Sequence, residues 1–144
     1  MTDRGYSKAL AAAVAAGWHW PDATIPSVVD GDTLDALVSK SFDVGFGGTS
    51  STSFRVRLRL ARINASPKDT PAGEASTQWL TGLLLATPTV DLVTLDAYKF
   101  GGPQYSPGEW MCELTLPDGR NVSDLAVSLG FAAYWNGQGP RPGG

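Results

Sequence analysis

The sequence has one cysteine, Cys112, and one histidine, His19, among 144 residues. A lone cysteine excludes an internal disulfide, and the two together cannot supply a zinc site of four nitrogen and sulfur ligands. Any metal would have to be held by oxygen. No apolar run approaches the roughly 20 residues that span a bilayer, so no membrane partner is expected. Positive charge is short as well. Eleven Lys and Arg against 14 Asp and Glu give a net charge of -3 and a pI of about 4.9, the wrong sign for a surface that grips nucleic acid throughout. There is no internal repeat, and the length suits one domain with tails.

What is present starts with "MTDRGYSKALAAAVAAG", where Arg4 and Lys8 precede an alanine-rich run in imitation of a secretory signal. Alanine is only weakly apolar, so the stretch reads better as a helix over residues 7–16, stopped by Gly17. A soluble chain without a convincing secretion signal is expected. Residues 18–27, "WHWPDATIPS", read as a Pro-interrupted connector. Ile25–Val29 and Thr33–Val38 read as short strands bent at Asp30-Gly31-Asp32. The run "SKSFDVGFGGTSSTS", residues 39–53, is rich in Gly, Ser and Thr and predicts a long hairpin loop. Residues 54–60 then alternate, with Phe54, Val56, Leu58 and Leu60 on one face and Arg55, Arg57 and Arg59 on the other. That is a half-buried strand with a cationic outer face.

From Pro71 the period changes to that of a helix, with Ala75, Trp79 and Leu83, and then Leu80 and Leu84, spaced by four. Asp69 or Thr70 can cap it, Pro71 suits its first turn, and Pro88 lies past its end. Val90–Tyr98 and Trp110–Leu116 predict two more strands. Ser123 is expected to cap a last helix that ends at Leu129 and is stopped by Gly130. Three parts result: a helix and connector over 1–22, a folded domain over 23–135, and a Gly/Pro-rich extended tail over 136–144. The fold class is α+β, mainly β.

Four stretches in order resemble the staphylococcal nuclease (thermonuclease) family: "VVDGDTL", "VRLRLARINASP", "GEASTQWLTGLL" and "LPDGRNVSDLAVSLGFAAYW". The second is similar to that family's V-R-L-x-G-I-D-A-P-E. The resemblance covers residues 25–135 and implies an OB-type five-stranded barrel with two packed helices. It also implies a site in which carboxylates hold a hard cation, one carboxylate activates water, and two arginines meet the charge growing on a phosphate. By position, Asp32 falls on the first cation ligand and Asp30 supports the turn. Arg59, five residues before Asn64, falls on the first arginine.

The other positions differ. Asn64 stands where the family has a second metal-binding aspartate. Pro67 or Lys68 stands where it has the water-activating glutamate, and Glu109, after Gly108, where it has the second arginine. Losing a general base costs about 10²–10⁴ in rate, and losing a charge-stabilising donor about 10²–10³ more. The losses do not add, yet even discounted they leave a site inactive by ordinary measures. No catalytic residue and no cofactor are expected; Ca²⁺ would be the metal if a rearranged site hydrolysed phosphodiesters, with Asp69 as a remote stand-in for the missing glutamate.

Plainer readings stand beside these. Asp30-Gly31-Asp32 can be a turn whose carboxylates bond neighbouring N–H groups. Arg55, Arg57 and Arg59 suit a solvated face or a protein partner better than a nucleic-acid groove. His19 reads as a packing or solvated residue, Cys112 as an inert core thiol, and Trp18, Trp20, Trp110 and Trp135 as buried or interfacial. Three functions remain: a structural or interaction subunit in an oligomeric assembly, a nucleic-acid-binding OB module, and a calcium-dependent nuclease. The first leads. Its composition, rich in Ala, Gly and Trp with Arg over Lys, resembles that of actinobacterial phage proteins, which would place it in a virion head, tail or decoration layer, or in the host cytoplasm during assembly. An alanine helix and a Gly/Pro tail have little to bury on their own domain, so both termini are expected to meet neighbouring chains.

Overall fold

A computed structural model describes residues 19–100, 108–136 and 142. The alanine-rich helix, Trp18, the 101–107 loop and most of the tail lie outside the described residues. Seven strands and two helices are described: β1 (His19–Asp30), β2 (Thr33–Gly45), β3 (Gly48–Leu60), β4 (Ile63–Ala65), α1 (Pro71–Leu85), β5 (Val90–Phe100), β6 (Gly108–Thr115), α2 (Val122–Ser128) and β7 (Ala132–Tyr134). The protein is α+β and mainly β. Five strands close into a ring in the order β1-β2-β3-β6-β5, and β4 pairs with β7 in a small separate sheet. All neighbours in the ring are antiparallel except β3 and β6.

Two stretches expected to be irregular are strands. The "WHWPDATIPS" connector is the first part of β1, which begins at His19, pairing with Val93 of β5. Its prolines are tolerated because of where they fall. Pro21 lies in the register shift between Trp20 and Ala23, and Pro26 in that between Thr24 and Ser27, where no ladder hydrogen bond is required.

The Ser/Thr/Gly run is no loop either. Pairing of β2 with β3 continues out to Asp43↔Thr49 and Gly45↔Gly48, and only Phe46 and Gly47 turn the corner. Both have positive φ, 58° and 74°, as a two-residue primed turn demands. Beyond the ring, residues 39–53 form a two-stranded ribbon whose exposed side chains include Phe42, Val44 and the fully exposed Phe46. Threonine favours strands as readily as a loop, and composition hid that.

Thr70, not Asp69, caps α1, its Oγ1 accepting from Gly73 N at 3.0 Å, and Pro71 opens the helix. The buried stripe is Gly73, Ser76, Leu80 and Leu84; Ala75 is exposed, and Trp79 and Leu83 pack at the core's margin. Small residues lead the stripe because α1 approaches the chain closely there. A Cβ on Gly73 would lie 1.7 Å from the Pro67 carbonyl oxygen. The cap of α2 is Asn121, whose side chain accepts from Asp124 N; Ser123 sits inside the helix, buried. An amide two residues earlier reaches the free N–H that the Ser123 hydroxyl, already inside the first turn, cannot. Gly130 does end this region, at φ 84°, with Phe131 N bonded to Ala126 O and Gly130 N to Val127 O, a Schellman arrangement.

Leu34, Leu58, Leu60, Leu92 and Leu114 from the ring meet Leu80, Leu84 and Val122 from the helices in one core. Cys112 is fully buried in it, and burial pushes its thiol pKa well up, as expected of an inert thiol. No helix among the described residues is long and apolar enough to cross a membrane.

Candidate functional site

The β1–β2 turn, the end of β3 and the short β4 meet at one end of the ring, and they bring Asp32, Arg59 and Asn64 together. All three are buried. The approach depends on Gly31, because a Cβ there would lie 2.2 Å from Ser76 Oγ and 2.8 Å from Ala65 Cβ. Without a side chain at that point α1 and β4 can both lie against the turn.

The side-chain oxygens of Asp32 and Asn64 each have a protein partner. Asp32 Oδ1 faces Arg59 Nη1 at 3.1 Å and accepts from Thr33 Oγ1 at 3.0 Å, while Oδ2 accepts from Ala65 N at 2.9 Å. Asn64 Oδ1 accepts from Arg59 Nη2 at 3.2 Å, and the same nitrogen lies 3.4 Å from the Ile63 carbonyl. The Asp30 carboxylate accepts from Asp32 N at 3.1 Å. Asp30 bonds a neighbouring backbone N–H, as the plain reading of the turn has it, whereas Asp32 reaches Arg59, the Thr33 hydroxyl and Ala65 N, 33 residues away. The Arg59 guanidinium stands between Asp32 and Asn64. Among the described residues no three His, Cys, Asp or Glu side chains lie close enough to hold a metal ion.

Burial pushes the Asp32 carboxyl above its ordinary value, Asp30 adds to that, and the Ala65 N–H and Arg59 oppose it. Trp135 covers the other side of the arginine, its ring centroid 5.8 Å from the Arg59 Cζ. The remaining positions carried over from the resemblance lie elsewhere. Lys68 is exposed, and the Pro67 carbonyl accepts from Thr70 N and Oγ1, building the turn into α1. Glu109 sits beside Arg57 in the β3–β6 register. Asp69 is exposed.

The arginine stripe is not a single surface. Arg59 is inside, while Arg55 and Arg57 remain outside and share one carboxylate, Asp35. Arg57 Nε donates to Asp35 Oδ1 at 2.6 Å, and Arg55 Nη2 donates to Oδ2 at 3.1 Å and to Ser27 Oγ at 2.8 Å. Burial works to raise the Asp35 pKa, but the bonds from Arg57 and Arg55 outweigh it and hold the carboxyl below its ordinary value. Arg57 is raised by Asp35, with Glu109 and Asp30 adding to the attraction. Much of the stripe's charge is therefore met from within the chain.

Sequence reasoning missed Asp35, although a signal existed. A hairpin across residues 33–60 would have brought Asp35 near the arginines, but counting back from the Gly45↔Gly48 corner pair puts it opposite Leu58, and only the register shift between Asp43 and Gly45 sets it opposite Arg57. It also missed Arg62, at φ 71° between β3 and β4. Arg62 forks onto buried Glu113 through Nε at 2.6 Å and Nη2 at 3.1 Å, and reaches Asp124 through Nη1 at 2.8 Å. Those bonds raise its pKa, Glu113 foremost, and tie β4, β6 and α2 together. His19 Nε2 lies 2.8 Å from Asp91 Oδ2, joining β1 to β5. No model of a known protein family matches this chain, and no curated protein matches it.

Proposed function

We propose that the chain is a non-catalytic domain of thermonuclease-like OB fold that serves as a structural or interaction subunit of a larger assembly. One observation carries this reading: Arg59, bonded to both Asp32 and Asn64, fills the place between the aligned ligand positions. Asn64 adds no negative charge to hold a divalent ion, and Asp32 is already neutralised by its partner. The Pro67-Lys68 pair leaves no general base at the corresponding point, and Glu109 brings negative charge where stabilisation of a phosphate needs positive. The ring of five strands with a helix packed on β1 supports the fold assignment.

The projecting ribbon supports an interaction role, because it carries the exposed apolar side chains Phe42, Val44 and Phe46. The composition suits a virion subunit. The test is cleavage of denatured DNA and of RNA with millimolar Ca²⁺. No cleavage is expected; cleavage that Asp32→Ala abolishes would refute the proposal and restore the calcium-dependent nuclease.

A further inference from the structure

An open cleft of about 570 Å³, the size of a small-ligand site, lies where the start of β1, the start of β5 and the end of β6 meet. The register shift between Trp20 and Ala23 interrupts the β1–β5 ladder at Pro21, and the turn after β6 is fixed by bonds from Leu116 N to Arg120 O and from Gly119 N to Leu116 O, both 2.9 Å. Buried Val90 and Leu116 belong to the core, while exposed Pro21 and Pro117 line the cleft nearer solvent. Of the lining residues only Asp91 carries charge. His19 Nε2 lies 2.8 Å from its Oδ2, and Oδ1 has no partner among the described residues. Asp22 and Asp118, next to Pro21 and Pro117 in sequence, are exposed, and Arg120 is bonded to Asp118 through Nε at 2.7 Å.

We propose that this cleft binds an alkylammonium group, the charged end of a lysine side chain or of a free amine of the same chemistry. Asp91 sets the sign of the charge, and Asp22 and Asp118 add to the negative field. His19 sets the kind of cation. A guanidinium binds a carboxylate best as a fork across both oxygens, whereas an ammonium is a compact charge that needs only one. With Oδ2 held by His19 one oxygen is left, and the hydroxyls of Thr89 and Thr115, which also line the cleft, can accept the remaining N–H bonds of an ammonium. Pro21, Leu116 and Pro117 offer apolar surface to the hydrocarbon stem while the charged head stays near water. The cleft shares no residue with the Asp32–Arg59–Asn64 cluster, so binding here is independent of whether that cluster is catalytic.

The test is a titration of the full, isotopically enriched chain with n-butylammonium chloride, followed by amide NMR, with n-butylguanidinium chloride and sodium chloride as comparators. Shifts that saturate in the millimolar range are expected at Val90, Asp91, Thr115, Leu116 and Gly119. Guanidinium should bind more weakly by about two- to fivefold, the scale of a partly exposed charge contact, and sodium should produce no such shifts. Asp91→Asn should weaken butylammonium binding by a similar factor. His19→Ala, which frees Oδ2, should bring guanidinium level with ammonium, a change that unspecific attraction to negative charge does not give. Nα-acetyl-lysine methylamide separates the two sources: binding as tight as that of butylammonium assigns the cleft to a lysine side chain, and its exclusion assigns the cleft to a free amine. Shifts that do not saturate, or guanidinium binding tighter than ammonium in the parent chain, overturn the proposal. The parent chain alone decides those outcomes, so a variant that fails to fold does not shield it.

Discussion

Replacing Arg59 by methionine keeps most of the side chain's length and removes its charge and donors. Three acceptors lose a partner: Asp32 Oδ1 at 3.1 Å, Asn64 Oδ1 at 3.2 Å and the Ile63 carbonyl at 3.4 Å. Asp32 keeps Thr33 Oγ1 and Ala65 N, so its bonds are partly preserved, but its charge is left at 5% exposure with no cation beside it. Removing one partner of a buried pair costs about 3–5 kcal/mol. At roughly 3 °C per kcal/mol for a chain of this size, the melting temperature should fall by about 10–15 °C. The deficit also has a pH signature. Asp32 already has a folded-state pKa above its ordinary value through burial, and losing Arg59 raises it further. A raised carboxyl pKa makes the folded state bind the extra proton, so stability falls as pH rises through the folded value. The gap between Arg59→Met and the parent, read by circular dichroism melts, should therefore narrow from pH 7 toward pH 4. Adding Asp32→Asn should recover most of the loss at neutral pH. A cost below about 1 kcal/mol, the range of an exposed pair, with no pH dependence, would refute the description of Asp32–Arg59 as a buried structural pair.

Gly31→Ala should lower stability by about 1–3 kcal/mol through overpacking, because the new methyl would lie 2.2 Å from Ser76 Oγ; urea titration should show the loss, with partial rescue by Ser76→Ala. On the acid side, Asp35 and Asp124 are both held below their ordinary value, Asp35 by Arg57 and Arg55 against the pull of burial and Asp124 chiefly by Arg62. Their contribution is complete above about pH 3.8 and is lost as pH falls through the depressed values, so the urea midpoint should drop below that pH and Asp35→Asn should flatten the drop.

Where side-chain period and local chemistry coincide, the sequence was legible. The alternation in residues 54–60 placed Val56, Leu58 and Leu60 in the core. Thr70-Pro71 marked the start of α1, and Gly130 marked the end of the last helical segment. It misled where composition spoke against geometry. Ser and Thr in residues 49–53 looked like a loop but pair along β3, and Pro21 and Pro26 looked like breaks but sit in bulges. In the site, alternation alone put Arg59 outside with Arg55 and Arg57. The strand reaches its end at Leu60, and β4 and Trp135 close over that last arginine, a long-range event that period cannot report.

The two-residue corner at Phe46-Gly47 also bears on how the chain reaches this structure. The β2–β3 ladder pairs residues on either side of that corner that are close in sequence, and a hairpin of this kind forms in about 1–10 μs. Ring closure joins His19 to Asp91, 72 residues apart, and sets β6 parallel to β3, contacts whose loop entropy must be overcome before they contribute. The β2–β3 hairpin should therefore be native-like in the rate-limiting transition state while the β1–β5 seam is still open. Measured φ-values should be high for substitutions at Val38 and Val56 and near zero at Val93. The reverse order would show that the seam, and not the hairpin, nucleates folding.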